Sequence, residues 1–200
     1  MAENAELAVL IIEDSESDAA LILRELSSKG YALRHRRVET GHELKEALAE
    51  EWDIILSDFR LPQFNAITAL EIVTATGKDI PFIIVSQAIG EGVAVELMRS
   101  GAVDYVMKSS LKRLSPAVER EVREARIRAQ ARKDAKALEE SEKNFRLLAE
   151  NSADMISRHL PDGVYTYVSP AFTRVLGFAR EEMLGHSAYD FFHPDDLQAI

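Results

Sequence analysis

The apolar run AVLII, Ala8–Ile12, stops at Glu13-Asp14. Three further short runs stop in the same way: DIILSD on Asp58, PFIIVS on Ser86 and DYVMK on Lys108. Three carboxylates brought together repel one another and stay ionised only beside a cation. A hard divalent ion with oxygen ligands meets that need, and Mg²⁺ prefers one or two carboxylates, waters and a phosphate. A hydroxyl and an ammonium add nothing to a bare metal site, but both donate to the equatorial oxygens of a phosphoryl group. Each residue alone has a plainer use. Asp14 or Asp58 could cap a helix or turn, Ser86 could be a loop hydroxyl, Lys108 a solvated charge, and Tyr105 a core aromatic. The chemistry exists only if the fold brings them together.

The runs Leu7–Ile12, Leu33–Val38, Ile54–Ser57, Phe82–Ser86 and Asp104–Met107 are brief and β-branched, which predicts strands. Helical spacing of apolar residues recurs between them, over Asp18–Ser28, Glu43–Glu50, Ala66–Thr76 and Gly92–Ser100. Gly30, Gly41, Gly77 and Gly101 punctuate these elements, several of them at helix C-termini. Strands alternating with helices predict an α/β fold, a doubly wound five-stranded parallel sheet covered on both faces. Ligands bind at the carboxyl ends of such strands, where Glu13, Asp14, Asp58, Ser86 and Lys108 converge. Glu16 and Asp18 fall at the start of the first helix, where their charge suits its N-terminus. They are read as structural.

From Pro116 to about Glu150 the chain has no glycine and no second proline, which predicts one long helix with Ser115 as its cap. Val118, Val122, Ala125 and Ala129 form one apolar stripe. Ile127, Ala131, Leu138, Phe145 and Leu148 form a second at near-heptad spacing. Either the last domain helix simply extends as a solvated linker, or it pairs with a second copy as a coiled coil. After Asn151, the segment ADMISRHLPDGVYTYVSPAF predicts two strands joined by a Pro-Asp-Gly turn. Short helices follow at Pro170–Leu176 and Glu181–Gly185, and FFHPDDLQAI opens another.

Composition narrows the function. The 200 residues carry a formal charge of -10, which argues against an electrostatic grip on nucleic acid or an anionic membrane. No cysteine is present, so disulfides, zinc-thiolate sites and thiol catalysis are excluded within this stretch. No apolar run approaches the ~20 residues that span a bilayer, and the acidic MAENAEL start has no signal core. A cytoplasmic protein with no membrane or nucleic-acid partner is the expectation.

Five such residues at the ends of four strands resemble the receiver domain of bacterial two-component response regulators, over about residues 6–125. The resemblance implies a flavodoxin-like receiver fold over 1–120 and a role for each residue. Glu13 and Asp14 match the acidic pair that helps hold Mg²⁺. Asp58, in ILSDFRLP, matches the phosphoacceptor, and the backbone carbonyl of Arg60 completes the protein's share of the metal shell. Ser86, in IIVSQAIG, matches the hydroxyl that turns toward the phosphoryl group. Lys108, in GAVDYVMK, matches the family lysine, and Tyr105 the switch aromatic. The implied partner is a sensor histidine kinase or a phosphotransfer protein. Two positions depart from the family. Gln87 stands where Ala or Gly is usual, beside the phosphoacceptor, and predicts slowed phosphotransfer and hydrolysis. Ser109 stands where proline usually follows the lysine, often with a cis bond. A cis peptide is not expected here, and Lys108 is expected to be less firmly placed.

Residues 121–150 then read as a helical linker through which a homodimer could form, and 151–200 resemble the opening part of a PAS domain. Asn151, the Asp162-Gly163 turn, YVSPAFTRVLGF, EEMLG and HPDD carry that second resemblance. PAS domains are sensor or dimerisation modules. LGHSAYDF lacks the cysteine of flavin photosensors in that family. His159, His186 and His193 have no paired spacing and are read as ordinary polar residues. A receiver that feeds a PAS module and an output domain outside this chain is the leading reading. In it the receiver catalyses only its own phosphorylation and dephosphorylation. A receiver-like docking or dimerisation module that is never phosphorylated is the alternative. A small hydrolase with an aspartyl-phosphate intermediate is a third, disfavoured because Phe59 and Arg60 stand where a second acid is needed.

Overall fold

The computed structural model describes residues 6–62, 64–87 and 91–191. The chain divides into two compact units on either side of the Ala131–Arg132 bond. In the first, β1 (Glu6–Ile12), β2 (Ala32–Val38), β3 (Ile54–Ser57), β4 (Phe82–Ser86) and β5 (Asp104–Met107) form one sheet in the order β2-β1-β3-β4-β5. Every pairing is parallel. Helices α1 (Glu16–Ser27), α2 (Gly41–Ala47), α3 (Ala66–Ala75) and α4 (Glu91–Arg99) connect the strands, and α5 (Leu114–Asn151) follows β5.

Side-chain alternation along the strands divides the core in two. Leu7, Val9 and Ile11 of β1 pack with Ile54, Leu56, Ile83, Val85 and Val106 against Ala19, Ile22 and Leu26 of α1 and Leu114, Val118 and Val122 of α5. Ala8, Leu10 and Ile12 pack with Ile55, Phe82 and Ile84 against α2, α3 and Leu97 of α4. The central strands are buried on both faces, so their sequences are apolar throughout rather than alternating.

The ends of the elements have local causes. Ser15 caps α1, Thr40 caps α2 in a capping box with Glu43, and Asn65 caps α3. Gly41 is therefore the first residue of α2. Gly101 leaves α4 at φ +113, a conformation that L side chains resist. Ser115 is not a cap. A 3-10 helix over Lys108–Arg113 leads straight into α5, and Ser115 lies inside the first turn with its hydroxyl donating to the Glu25 carbonyl at 3.4 Å. Pro116 still falls in that first turn, where its missing N–H costs nothing.

In the second unit β6 (Ser157–His159) and β7 (Tyr165–Val168) pair antiparallel. Gly163, at φ +85, donates its N–H to Leu160 O at 2.9 Å and closes the turn between them. Helices α6 (Pro170–Leu176) and α7 (Arg180–Met183) follow, and Tyr165, Val168, Phe172 and Met183 make a small core. The helix expected in FFHPDDLQAI, with His193, lies outside the described residues apart from Phe191. No helix of the described residues is long and apolar enough to cross a membrane.

Candidate functional site

Backbone register brings the strand-end residues to one rim. Ile12 is paired with Ser57, and the ladder runs one step further, Asp58 N–H donating to Ile12 O at 2.8 Å. Glu13 N–H donates to Val38 O at 3.1 Å, and Ser86 is paired with Met107, one residue before Lys108. Alternation then selects the face. Glu13 follows Val9 and Ile11, Asp58 follows Ile54 and Leu56, and Lys108 follows Val106. All three continue the row that faces α1 and α5.

They meet there. Lys108 Nζ lies 2.7 Å from Glu13 Oε2, 2.6 Å from Asp58 Oδ2 and 2.6 Å from Asp18 Oδ2. An ammonium has three protons to give, and all three go to carboxylates. Burial pulls the Lys108 pKa down, but the hydrogen bonds to Asp18, Asp58 and Glu13 outweigh it and leave it raised, so the side chain is a fixed cation. Burial pushes Glu13 up from the usual carboxylate range, opposed by the Lys108 hydrogen bond and charge. Its other oxygen, Oε1, accepts from Ser15 N–H at 3.2 Å. Asp58 Oδ1 accepts from the N–H groups of Phe59 at 2.6 Å and Arg60 at 3.5 Å, which leaves Oδ2 to Lys108.

Glu13, Asp14 and Asp58 each bring a carboxylate oxygen within 4.8 Å of the others. A set of three hard oxygen donors suits Mg²⁺ and not a soft metal. Arg60 lies two residues past Asp58 and bridges backbone to Asn65. The stretch is buttressed by Arg37, whose Nη1 donates to the carbonyls of Glu13 at 3.0 Å and Asp14 at 3.3 Å and to Glu39 Oε1 at 2.5 Å. No periodicity singles out Arg37. Its part follows from β2 lying beside β1.

Ser86 is 5% exposed at the end of β4, while Tyr105, on the edge strand β5, is 39% exposed. Gln87 and Ser109 line a cavity of about 410 Å³ together with Asp18, Leu21, Ile22, Lys108 and Leu111. The peptide bond between Lys108 and Ser109 is trans, like every other among the described residues.

Asp18 requires a correction. Its place in the sequence assigns it to the α1 terminus alone, and its N–H does donate to the Ser15 cap at 3.3 Å. Its carboxylate, however, is a partner of Lys108. The signal was present in the spacing: Asp18, Ile22 and Leu26 stand at i, i+4 and i+8, on the stripe of α1 that faces the sheet. Glu16 remains at the helix start, paired with Arg37 at 3.4 Å. In the second unit His159 stacks on Tyr165 at 5.2 Å and His186 lies edge-on to Phe191 at 6.4 Å, apart from any metal-type cluster among the described residues.

Comparison with known proteins agrees with this geometry. The model of the response regulator receiver domain family matches residues 9–119, and that of the PAS fold matches residues 143–200. The hybrid signal transduction histidine kinase G of Dictyostelium discoideum is 28% identical over 107 residues, 52% of this chain and 3% of its own length. The transcriptional regulatory protein ZraR of Salmonella typhimurium is 27% identical over 106 residues, 52% of this chain and 23% of its own length. An aryl hydrocarbon receptor nuclear translocator homolog of Drosophila melanogaster is 44% identical over 46 residues, 23% of this chain and 7% of its own length. The chain thus spans less than a quarter of the length of each of these relatives. Among solved structures, the receiver domain of a LuxO repressor protein from Vibrio parahaemolyticus superposes with a TM-score of 0.57 at 25% identity, covering 63% of this chain and 97% of that one. With the 2-1-3-4-5 strand order, and a family match over more than half of the 200 residues, the chain belongs to the response regulator receiver domain family, with a PAS fold following the receiver.

Proposed function

We propose that residues 1–120 form a phosphorylatable receiver that takes a phosphoryl group on Asp58 from a histidine kinase or phosphotransfer protein. One observation carries the reading: Asp58 Oδ2 lies 2.6 Å from Lys108 Nζ, beside the acidic trio. Glu13, Asp14, Asp58 and the Arg60 carbonyl are the groups that would hold Mg²⁺, which supplies charge neutralisation for the transferring oxygens. In the transfer, the P–N bond of the donor phosphohistidine breaks as a P–O bond forms to Asp58. The electron pair stays on the donor nitrogen, which takes up a proton. Lys108 remains beside the new acyl phosphate and donates to its oxygens, so the chain contributes position and fixed positive charge rather than covalent chemistry.

Ser86 then turns toward the phosphoryl group and Tyr105 moves inward from its exposed position, a two-state switch biased by the added charge. The route outward has a physical basis in β5. Asp104, next to Tyr105, receives Arg120 of α5 at 2.6 Å, and Arg120 also holds Glu121. From there residues 121–150 act as a helical linker toward the PAS module over 151–200, and that linker pairs with a second copy. A cytoplasmic setting, without nucleic acid or membrane as a direct partner, goes with this reading.

The test is incubation with Mg²⁺ and a small acyl-phosphate donor, followed by mapping of the acid-stable, base-labile label. Label on Asp58, lost in Asp58→Asn and without Mg²⁺, is the expected result. A parent protein that binds neither Mg²⁺ nor a phosphoryl-mimicking fluoride would favour a docking module instead.

A further inference from the structure

We propose that Asp18 is the positioning residue for Lys108, the tether that keeps its ammonium over Asp58 during phosphoryl transfer. The inference rests on the reading of Asp58 as the phosphoacceptor and adds a residue to that site.

Lys108 ends a flexible four-carbon side chain, and with Ser109 rather than proline after it the backbone there has no ring to stiffen it. Something must fix the Nζ atom in space. Of its three carboxylate partners, Asp58 is the group being modified and Glu13 belongs to the acidic trio that a cation would claim. Asp18 belongs to neither set, so its hold at 2.6 Å is not shared with the metal or with the phosphoryl group.

Asp18 is itself well anchored. It sits in the first turn of α1, one turn before Ile22, which is 2% exposed against the sheet. Its side chain is 23% exposed, and that of Lys108 is 11% exposed, so water screens their attraction only in part. Both side chains line the cavity that Gln87 also lines. Helix α1 thus lends its position to the end of a long, flexible side chain.

The test compares Asp18→Asn, which keeps the shape and loses the charge, with Asp18→Glu, each in the full chain. Three quantities are measured: the rate of Asp58 labelling by a small acyl phosphate at saturating Mg²⁺, the affinity for Mg²⁺, and the Lys108 ¹⁵N-ammonium signal by NMR. Asp18→Asn should slow labelling on the order of tenfold or more. Mg²⁺ affinity should hold, and the ammonium signal should broaden as its protons exchange with water. Asp18→Glu should restore part of the rate. An unchanged rate with an unchanged ammonium signal overturns the proposal. So does a parallel fall in Mg²⁺ affinity, which would make Asp18 a partner of the cation. If the parent protein takes no label, the phosphoacceptor reading fails instead, and the ammonium signal alone still decides whether Asp18 holds Lys108.

Discussion

Lys108 and Asp18 stand 90 residues apart in the chain and 2.6 Å apart in space. Their contact joins the end of β5 to the first turn of α1, across the same rim that carries Glu13 and Asp58. One ammonium among three carboxylates leaves an excess of negative charge, and Asp14 adds to it. This imbalance, in a partly buried crevice, is the charge that a hard cation would neutralise.

Asp14 contributes to that field from an exposed position, so removing it should leave the fold intact. We expect Asp14→Ala to weaken Mg²⁺ binding by more than about tenfold, equivalent to ~1.4 kcal/mol of lost attraction. Labelling at low Mg²⁺ should disappear with it. Titration of Mg²⁺ followed by NMR, with circular dichroism as the folding control, measures both. Parent-like affinity in the variant would remove Asp14 from the metal shell.

Gln87 is exposed and lines the cavity beside Lys108. Truncation in Gln87→Ala should open the approach for both a donor and an attacking water. Labelling and spontaneous loss of label should then both accelerate, by several-fold. Time courses at fixed Mg²⁺ read the two rates separately, and two unchanged rates would mean that the amide obstructs nothing.

The linker offers a different test. Residues 131–144 of α5 are all exposed, and Ile127, Leu138 and Leu148 are 62%, 63% and 74% exposed. A helix exposed over that length is marginal in water. Spacing of 127, 131, 134, 138, 141, 145 and 148 follows a heptad seam, with Asp134 and Ser141 as polar interruptions. Sedimentation should therefore find a homodimer that Leu138→Asp converts to monomer. A parent chain that is monomeric at high micromolar concentration would refute pairing through this helix.

The α2 cap separates stability from function. Thr40 Oγ1 accepts from Glu43 N–H at 3.2 Å, and Glu43 Oε2 accepts from Glu39 N–H at 2.8 Å and Thr40 N–H at 3.3 Å. Thr40→Ala should cost about 1 kcal/mol with labelling unchanged. The backbone hydrogen bond from Glu39, more than any other cause, lowers the Glu43 pKa below its ordinary 4.5. A lowered folded-state pKa means that the ionised carboxylate stabilises the fold above the unfolded value, and that this is lost as pH falls through the folded one. Thermal melts of Glu43→Gln and the parent should differ at neutral pH and converge as the pH falls through the lowered folded-state pKa.

Much of this protein is legible from its chain alone. Short β-branched runs and helical spacing are local patterns, so all five strands can be read within one residue and their helices within three. The residues closing those strands can be read too, because a buried strand must change character where it leaves the core. Asp14, Asp58, Ser86 and Lys108 announce themselves by that change. Ser115 could not be read correctly, because the 3-10 turn that begins α5 early depends on how Leu114 packs at 0% exposure beneath the sheet. Arg37 was hidden for a related reason: its part comes from which strand lies beside β1. The α1 stripe puts Asp18 on the sheet-facing side, but that Lys108 lies opposite it is not a property of neighbouring residues in the chain. The sequence determined which groups stand at the strand ends. Only tertiary structure decided that α1, held by Ile22 and Leu26 against the sheet, would set a third carboxylate on the lysine.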